Sequence, residues 1–129
     1  MERMRIASGS KYEPVIGFSR AVAAHDHVAV AGTAPIMRDG GDPPADPYGQ
    51  TKRCLEIIAD ALREAGASMS DVVRTRTYLV DAADWEEVGR AHGEVFADVR
   101  PASTMVVVTG FLDPRWKVEL EADAIVDQA

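Results

Sequence analysis

The chain is 129 residues long, 47% apolar and 27% charged, with a formal net charge of −7 at pH 7. That length supports one hydrophobic core, and the composition excludes a disordered or collagen-like chain. The negative charge opposes sequence-independent binding to a nucleic-acid backbone, and no apolar run approaches the ~20 residues that span a bilayer.

The charged start, Met1-Glu2-Arg3-Met4-Arg5, is not followed by the apolar stretch and small-residue cleavage site of a secretory signal. Residues 1–129 are therefore read as one cytoplasmic domain with neither membrane nor nucleic acid as partner. Residues 18–24 and 28–32 read as two short strands, and the polar turn His25-Asp26-His27 between them makes a hairpin. Residues 38–45 concentrate Gly, Pro and Asp and form a surface loop. Asp46 as N-cap, Pro47 in the first turn and Gly66 in a left-handed C′ position bound a helix of about five turns. Its apolar stripe is Cys54, Ile57, Ile58, Ala61, Leu62 and Ala65.

Val72–Val80 alternates as a strand, with Val73, Thr75, Thr77 and Leu79 on one face and Arg74, Arg76 and Tyr78 on the other. Asp84-Trp85-Glu86-Glu87 reads as a capping box that opens a second amphipathic helix on Trp85, Val88, His92, Val95 and Phe96, ending before Arg100-Pro101. Strands follow near 103–108 and 117–126; in the last, Val118, Leu120, Ala122 and Ala124 oppose Glu119, Glu121 and Asp123. The order predicts an α+β fold, a mixed sheet with both helices on one face. The other face carries Arg74, Arg76, Tyr78, Glu119 and Glu121, and packing against further subunits would cover it.

Several residue types are read as structural. Cys54 cannot form an intrachain disulfide and sits on the apolar stripe as a small hydrophobe. His25 and His27 lack a third ligand and read as solvated turn residues, so no metal site is expected. His92, Trp85 and Trp116 read as packing residues. No phosphate-cradling Gly-rich loop, CxxC or HExxH pattern is present.

Taken in order, the segments 16–22 (Ile16 to Val22), 30–36 (Val30 to Ile36), Gln50-Thr51, 65–68 (Ala65 to Ser68), 71–79 (Asp71 to Leu79), 100–104 (Arg100 to Thr104) and 118–122 (Val118 to Ala122) resemble successive signatures of the Rid (YjgF, reactive-intermediate deaminase) family. The resemblance implies a chorismate-mutase-like α+β fold assembled as a homotrimer, with small-molecule clefts at the subunit interfaces. It also implies hydrolysis of reactive enamines and imines, such as 2-aminoacrylate, to 2-keto acids and ammonia without metal or organic cofactor. Glu119 matches the family's cleft glutamate, which would position or deprotonate water, while Glu121 and Asp123 read as charge partners of basic residues.

Phe18, Ser19, Gly32, Thr33, Ser103, Met105, Arg74 and Arg76 are the expected substrate-binding residues, with Phe18 standing where many relatives carry tyrosine. The deaminase subgroup carries arginine where this chain has Ser103, and a hydroxyl cannot replace a bidentate guanidinium against a substrate carboxylate. Arg20, Arg74 or Arg76 would have to restore that charge. The first reading is thus a hydrolase whose substrate differs from the archetypal 2-imino acids. The alternatives are a non-catalytic metabolite-binding trimer and an endoribonuclease or translation inhibitor, the last weakened by the acidic charge.

Overall fold

The computed structural model describes residues 3–127. The described residues form six strands, β1 (Met4–Ile6), β2 (Ala21–Ala24), β3 (His27–Thr33), β4 (Val72–Leu79), β5 (Ala102–Val107) and β6 (Val118–Ile125), with helices α1 (Pro47–Glu64) and α2 (Trp85–Phe96). They make one mixed sheet in the order β1-β2-β3-β6-β4-β5, in which β4 and β5 run parallel and the other neighbours antiparallel. A parallel pair needs a crossover, and α2 supplies it. The α+β architecture is as the sequence pattern predicts.

The core lies between the sheet and the two helices. Val28 and Val30 of β3, and Val118, Leu120, Ala122 and Ala124 of β6, pack against Cys54, Leu55, Ile58, Ala61 and Leu62 of α1, with Val88 and Phe96 of α2 closing the same cluster. The ends of α1 are set as its punctuation demands. Asp46 accepts a hydrogen bond from Gly49 N at 2.9 Å. At the other end Ala67 N reaches Leu62 O at 2.8 Å and Gly66 N reaches Arg63 O at 3.1 Å, with Gly66 at φ +86°. This is the paired Schellman arrangement that a residue without Cβ permits.

Four expectations need correction. Val72, not Val73, enters the core, because a register irregularity between Val72 and Arg74 turns the strand entry and leaves Val73 exposed. The first hairpin strand begins at Ala21 rather than residue 18, since Glu13–Gly17 forms a π-helical turn and Phe18 N closes it onto Glu13 O. Asp84 makes no capping hydrogen bond; Asp81 instead caps a 3₁₀ turn, Ala82–Asp84, through Ala83 N at 2.9 Å. Trp85 is 57% exposed and so is no packing residue. The sequence pattern also missed β1, three residues of which Ile6 alone is buried.

Candidate active site

Strict alternation on β6 sends Val118 and Leu120 into the core and Glu119, Glu121 and Asp123 to the face away from the helices. Two of these carboxylates are occupied. Arg76 Nη1 lies 3.3 Å from Glu121 and 3.3 Å from Asp123, and Tyr78 donates its hydroxyl to Glu121 at 2.6 Å. Glu119 has no hydrogen bond or ion pair among the described residues. It instead forms the floor of a cavity of about 660 Å3 together with Arg20 and Gly32. Phe18, Ile16, Ile36, Trp116 and the exposed Leu112 line it with apolar surface, beside the polar Ser10, Tyr12 and Asp113, brought there by the π-helical turn, the segment after β3 and the loop before β6.

A bulge in β3 shapes the floor. Val30 pairs with Ala122 but Thr33 pairs with Leu120, so β3 carries one extra residue opposite Glu121. That irregularity brings Gly32 so near Glu119 that a Cβ there would stand 3.4 Å from Oε1. Arg20, just before β2, donates through Nη1 to Gly32 O at 3.1 Å and to Thr33 Oγ1 at 3.0 Å. Thr33 in turn donates to Ala31 O at 2.7 Å. Buried Thr33 therefore orients the guanidinium rather than lining the cavity.

Burial governs the electrostatics of the pair. It raises the proton affinity of the Glu119 carboxyl, against the opposing pull of Arg20 and with a smaller push from Glu121. It also lowers the Arg20 guanidinium pKa, against Glu119. Both groups shift toward neutrality because each is desolvated while no contact within 4 Å joins them. A carboxyl held in this way can both accept and return a proton. Asp113, at the cavity edge, is held down at about 2 by Arg115, so it stays ionised and paired.

The family model described as Endoribonuclease L-PSP matches residues 9–126. The chain belongs to the YjgF/L-PSP family. A Streptomyces coelicolor protein described as uncharacterized is 45% identical over 120 residues, covering 93% of this chain and 90% of its own. The 3-aminoacrylate deaminase RutC of Acinetobacter baylyi is 31% identical over 118 residues, 88% of this chain and 90% of that protein. The crystal structure of a YjgF/YER057c/UK114 family member from Mycobacterium tuberculosis matches with a TM-score of 0.88 at 42% identity, over 97% of this chain and 100% of that one.

Within this YjgF-family chain, the expected site residues divide into four groups. Phe18, Gly32 and Glu119 share the cavity, with Thr33 behind it. Ser19 lies in a neighbouring recess with Arg5, Glu13 and Val22, which it shares with Phe18. Arg76 is committed to Glu121 and Asp123, and exposed Arg74 pairs in register with Asp123 at the far end of the face. Ser103 and Met105 stand on β5, in register with Thr75 and Thr77.

Ser103 is held from the helix side of the sheet. Thr75 Oγ1 donates to Ser103 Oγ at 2.9 Å and lies 2.8 Å from His92 Nε2 on α2, so the imidazole donates from Nε2. Ser103 and Glu119 thus leave opposite faces of one sheet and do not share a site within one chain. Sequence reasoning did not assign Ile16, Ile36 or Leu112 to the site and read Trp116 as a packing residue, whereas all four line the cavity. Among the described residues, no group of three or more His, Cys, Asp or Glu is arranged to hold a metal ion, and no helix is long and apolar enough to cross a membrane.

Proposed function

We propose that this YjgF-family protein is a cofactor-free hydrolase of small enamines and imines, working in the cytoplasm as a homotrimer with ligand clefts where chains meet. The observation that carries the reading is Glu119, a half-buried carboxylate without a partner among the described residues, its proton affinity raised, in a largely apolar cavity. An enamine enters the same chemistry through its imine tautomer. Glu119 takes a proton from water as the oxygen adds to the C=N carbon, and the proton passes to nitrogen to give a carbinolamine. Breaking the C–N bond then releases ammonia and leaves a carbonyl, with one water consumed. Each step is proton transfer, addition or elimination, which needs no redox group.

The match to a relative named for 3-aminoacrylate deamination supports the substrate class. The exposed edge strand β5, with Met105, Val106 and Val107 uncovered, supports assembly. An endoribonuclease reading has the family model's description behind it, but a net charge of −7 opposes a polyanionic substrate. Binding without turnover is the second reading, favoured by the neutral hydroxyl at Ser103. The deciding experiment follows ammonia release from 2-iminopropionate generated in situ. The expected result is turnover that drops about 100-fold or more in Glu119→Gln, the usual scale for a lost acid-base group. Equal rates in parent and variant would refute the hydrolase.

A further inference from the structure

Near the start of α1, Gln50 is 1% exposed, and its carboxamide spans two loops. Its Oε1 accepts from Lys117 N at 2.7 Å, and its Nε2 donates to Arg115 O at 3.0 Å and to Pro44 O at 2.9 Å. The two ends of the amide cannot be exchanged, because Lys117 N only donates and the two carbonyls only accept. One buried side chain therefore grips the backbone on both sides of Trp116, as a neighbouring strand would, and ties it to the loop at Pro44. Arg115 links the same loops from outside through Asp42 and Asp113, each at 2.7 Å. Those ion pairs lie at the surface and hold little in water, so the buried amide is the stronger restraint.

Trp116 stands between two hollows. The Glu119 cavity of about 660 Å3 and a smaller one of about 220 Å3, lined by Pro35, Met37, Pro43 and Arg115, have only Ile36 and Trp116 in common among the described residues. Ile36 is held from α1 by Arg53 Nε, which donates to Ile36 O at 2.7 Å. The indole is the larger of the two shared side chains, and it hangs from the backbone that Gln50 grips. We propose that Gln50 is a positioning residue: by gripping Arg115 O and Lys117 N it holds the Trp116 indole as the partition between the two hollows, and so sets the length of ligand that the Glu119 cavity accepts. Its role rests on the reading of this cavity as the ligand site, whatever the ligand's head group. Without the grip the indole swings, the hollows join, and a longer apolar chain fits.

Uncharged alkanols from 1-butanol to 1-octanol probe chain length alone, titrated into the full chain and followed by 1H–15N NMR at the amides of Gly32 and Glu119. In the parent, affinity should rise with each carbon and then level off where the chain meets the indole. Each methylene taken into apolar surroundings gives about fourfold in affinity, so Trp116→Ala should tighten 1-octanol relative to 1-pentanol by about 10-fold or more. Gln50→Ala should shift the profile in the same direction with Trp116 in place. The double variant should add nothing to Trp116→Ala, because one change acts through the other. A Gln50 that only stabilised the fold would lower the melting temperature and leave the profile alone. Should Gln50→Ala not fold, Gln50→Glu keeps the shape while turning an oxygen toward Arg115 O and Pro44 O, and should shift the profile likewise. Trp116→Ala tests the partition by itself. A folded Gln50 variant with the parent's profile, an additive double variant, or an unchanged limit in Trp116→Ala would overturn the proposal. So would a parent whose affinity shows no limit across the series, or one that binds no alkanol up to its solubility. Turnover of imines alongside any of those results would sink only this inference, and the expected profile without turnover would sink only the hydrolase.

Discussion

At Glu119 stability and chemistry pull in opposite directions, because burial makes its ionised form unfavourable in the folded chain. A carboxyl whose folded pKa is raised contributes stability below its unfolded pKa, and that contribution is lost as pH rises through the folded value. Glu119→Gln, an uncharged mimic of the protonated form, should therefore raise the melting temperature at pH 7 while reducing turnover. The gain should vanish below pH 4. Melts across pH 3.5–8 would show it, and a variant less stable than the parent at pH 7 would contradict the buried-charge account. Thr77 gives a second residue-scale outcome. Its Oγ1 is buried without a hydrogen-bond partner among the described residues, and such an orphan costs about 1–3 kcal/mol. Thr77→Val should raise unfolding stability by about 1 kcal/mol in denaturant titration, whereas a loss would show that the hydroxyl has a partner.

The ends of α1 were legible in the sequence because each depends on one local group. Asp46 is needed only for its acceptor at Gly49 N, and Gly66 only for its freedom at φ +86°. Asp46→Ala should cost about 1 kcal/mol through the lost cap. At Gly66 a new Cβ would meet nothing within 4 Å, so Gly66→Val should act by backbone strain alone, costing about 1–2 kcal/mol. Gly66→Asn, which tolerates the left-handed region, should recover most of that. If valine and asparagine destabilise equally in thermal melts, strain is not the cause. The entry of α2 shows the opposite case. Asp84 and Glu87 have capping-box spacing, but the preceding 3₁₀ turn places Asp84 at φ −80° and ψ −4°, helical rather than extended, so its side chain cannot reach back. Val73 failed likewise, because a strand irregularity shifts the pleat and no local signal announces it.

At the scale of the molecule, β5 is the outlying strand of the sheet and is exposed along all six residues. Met105, Val106 and Val107 make it an apolar edge of the kind that soluble proteins cover or charge. The proposed trimer covers it. Light scattering after size exclusion should give three copies, and Val106→Lys combined with Val107→Glu should release monomers. A parent that is monomeric at micromolar concentration would defeat the trimer and any cleft that brings Ser103 to a neighbouring Glu119.

Sequence alone determined the alternating faces of β6, the bounds of α1, the α+β order and the family signatures, because periodicity, caps and turn residues act over a few positions. Glu119 was singled out in the sequence through that resemblance, and it lies in the cavity with Arg20 and Gly32. Only the tertiary structure decided that Glu121 and Asp123 share Arg76 while Glu119 has no partner among the described residues, that Arg20 rather than Arg74 or Arg76 shares its cavity, and that Ser103 faces the other side of the sheet. Each of these depends on register between strands distant in the chain, and the approach of Gly32 to Glu119 depends on one extra residue in β3. A one-residue slip would move every side chain to the opposite face, and nothing local in the chain reports it.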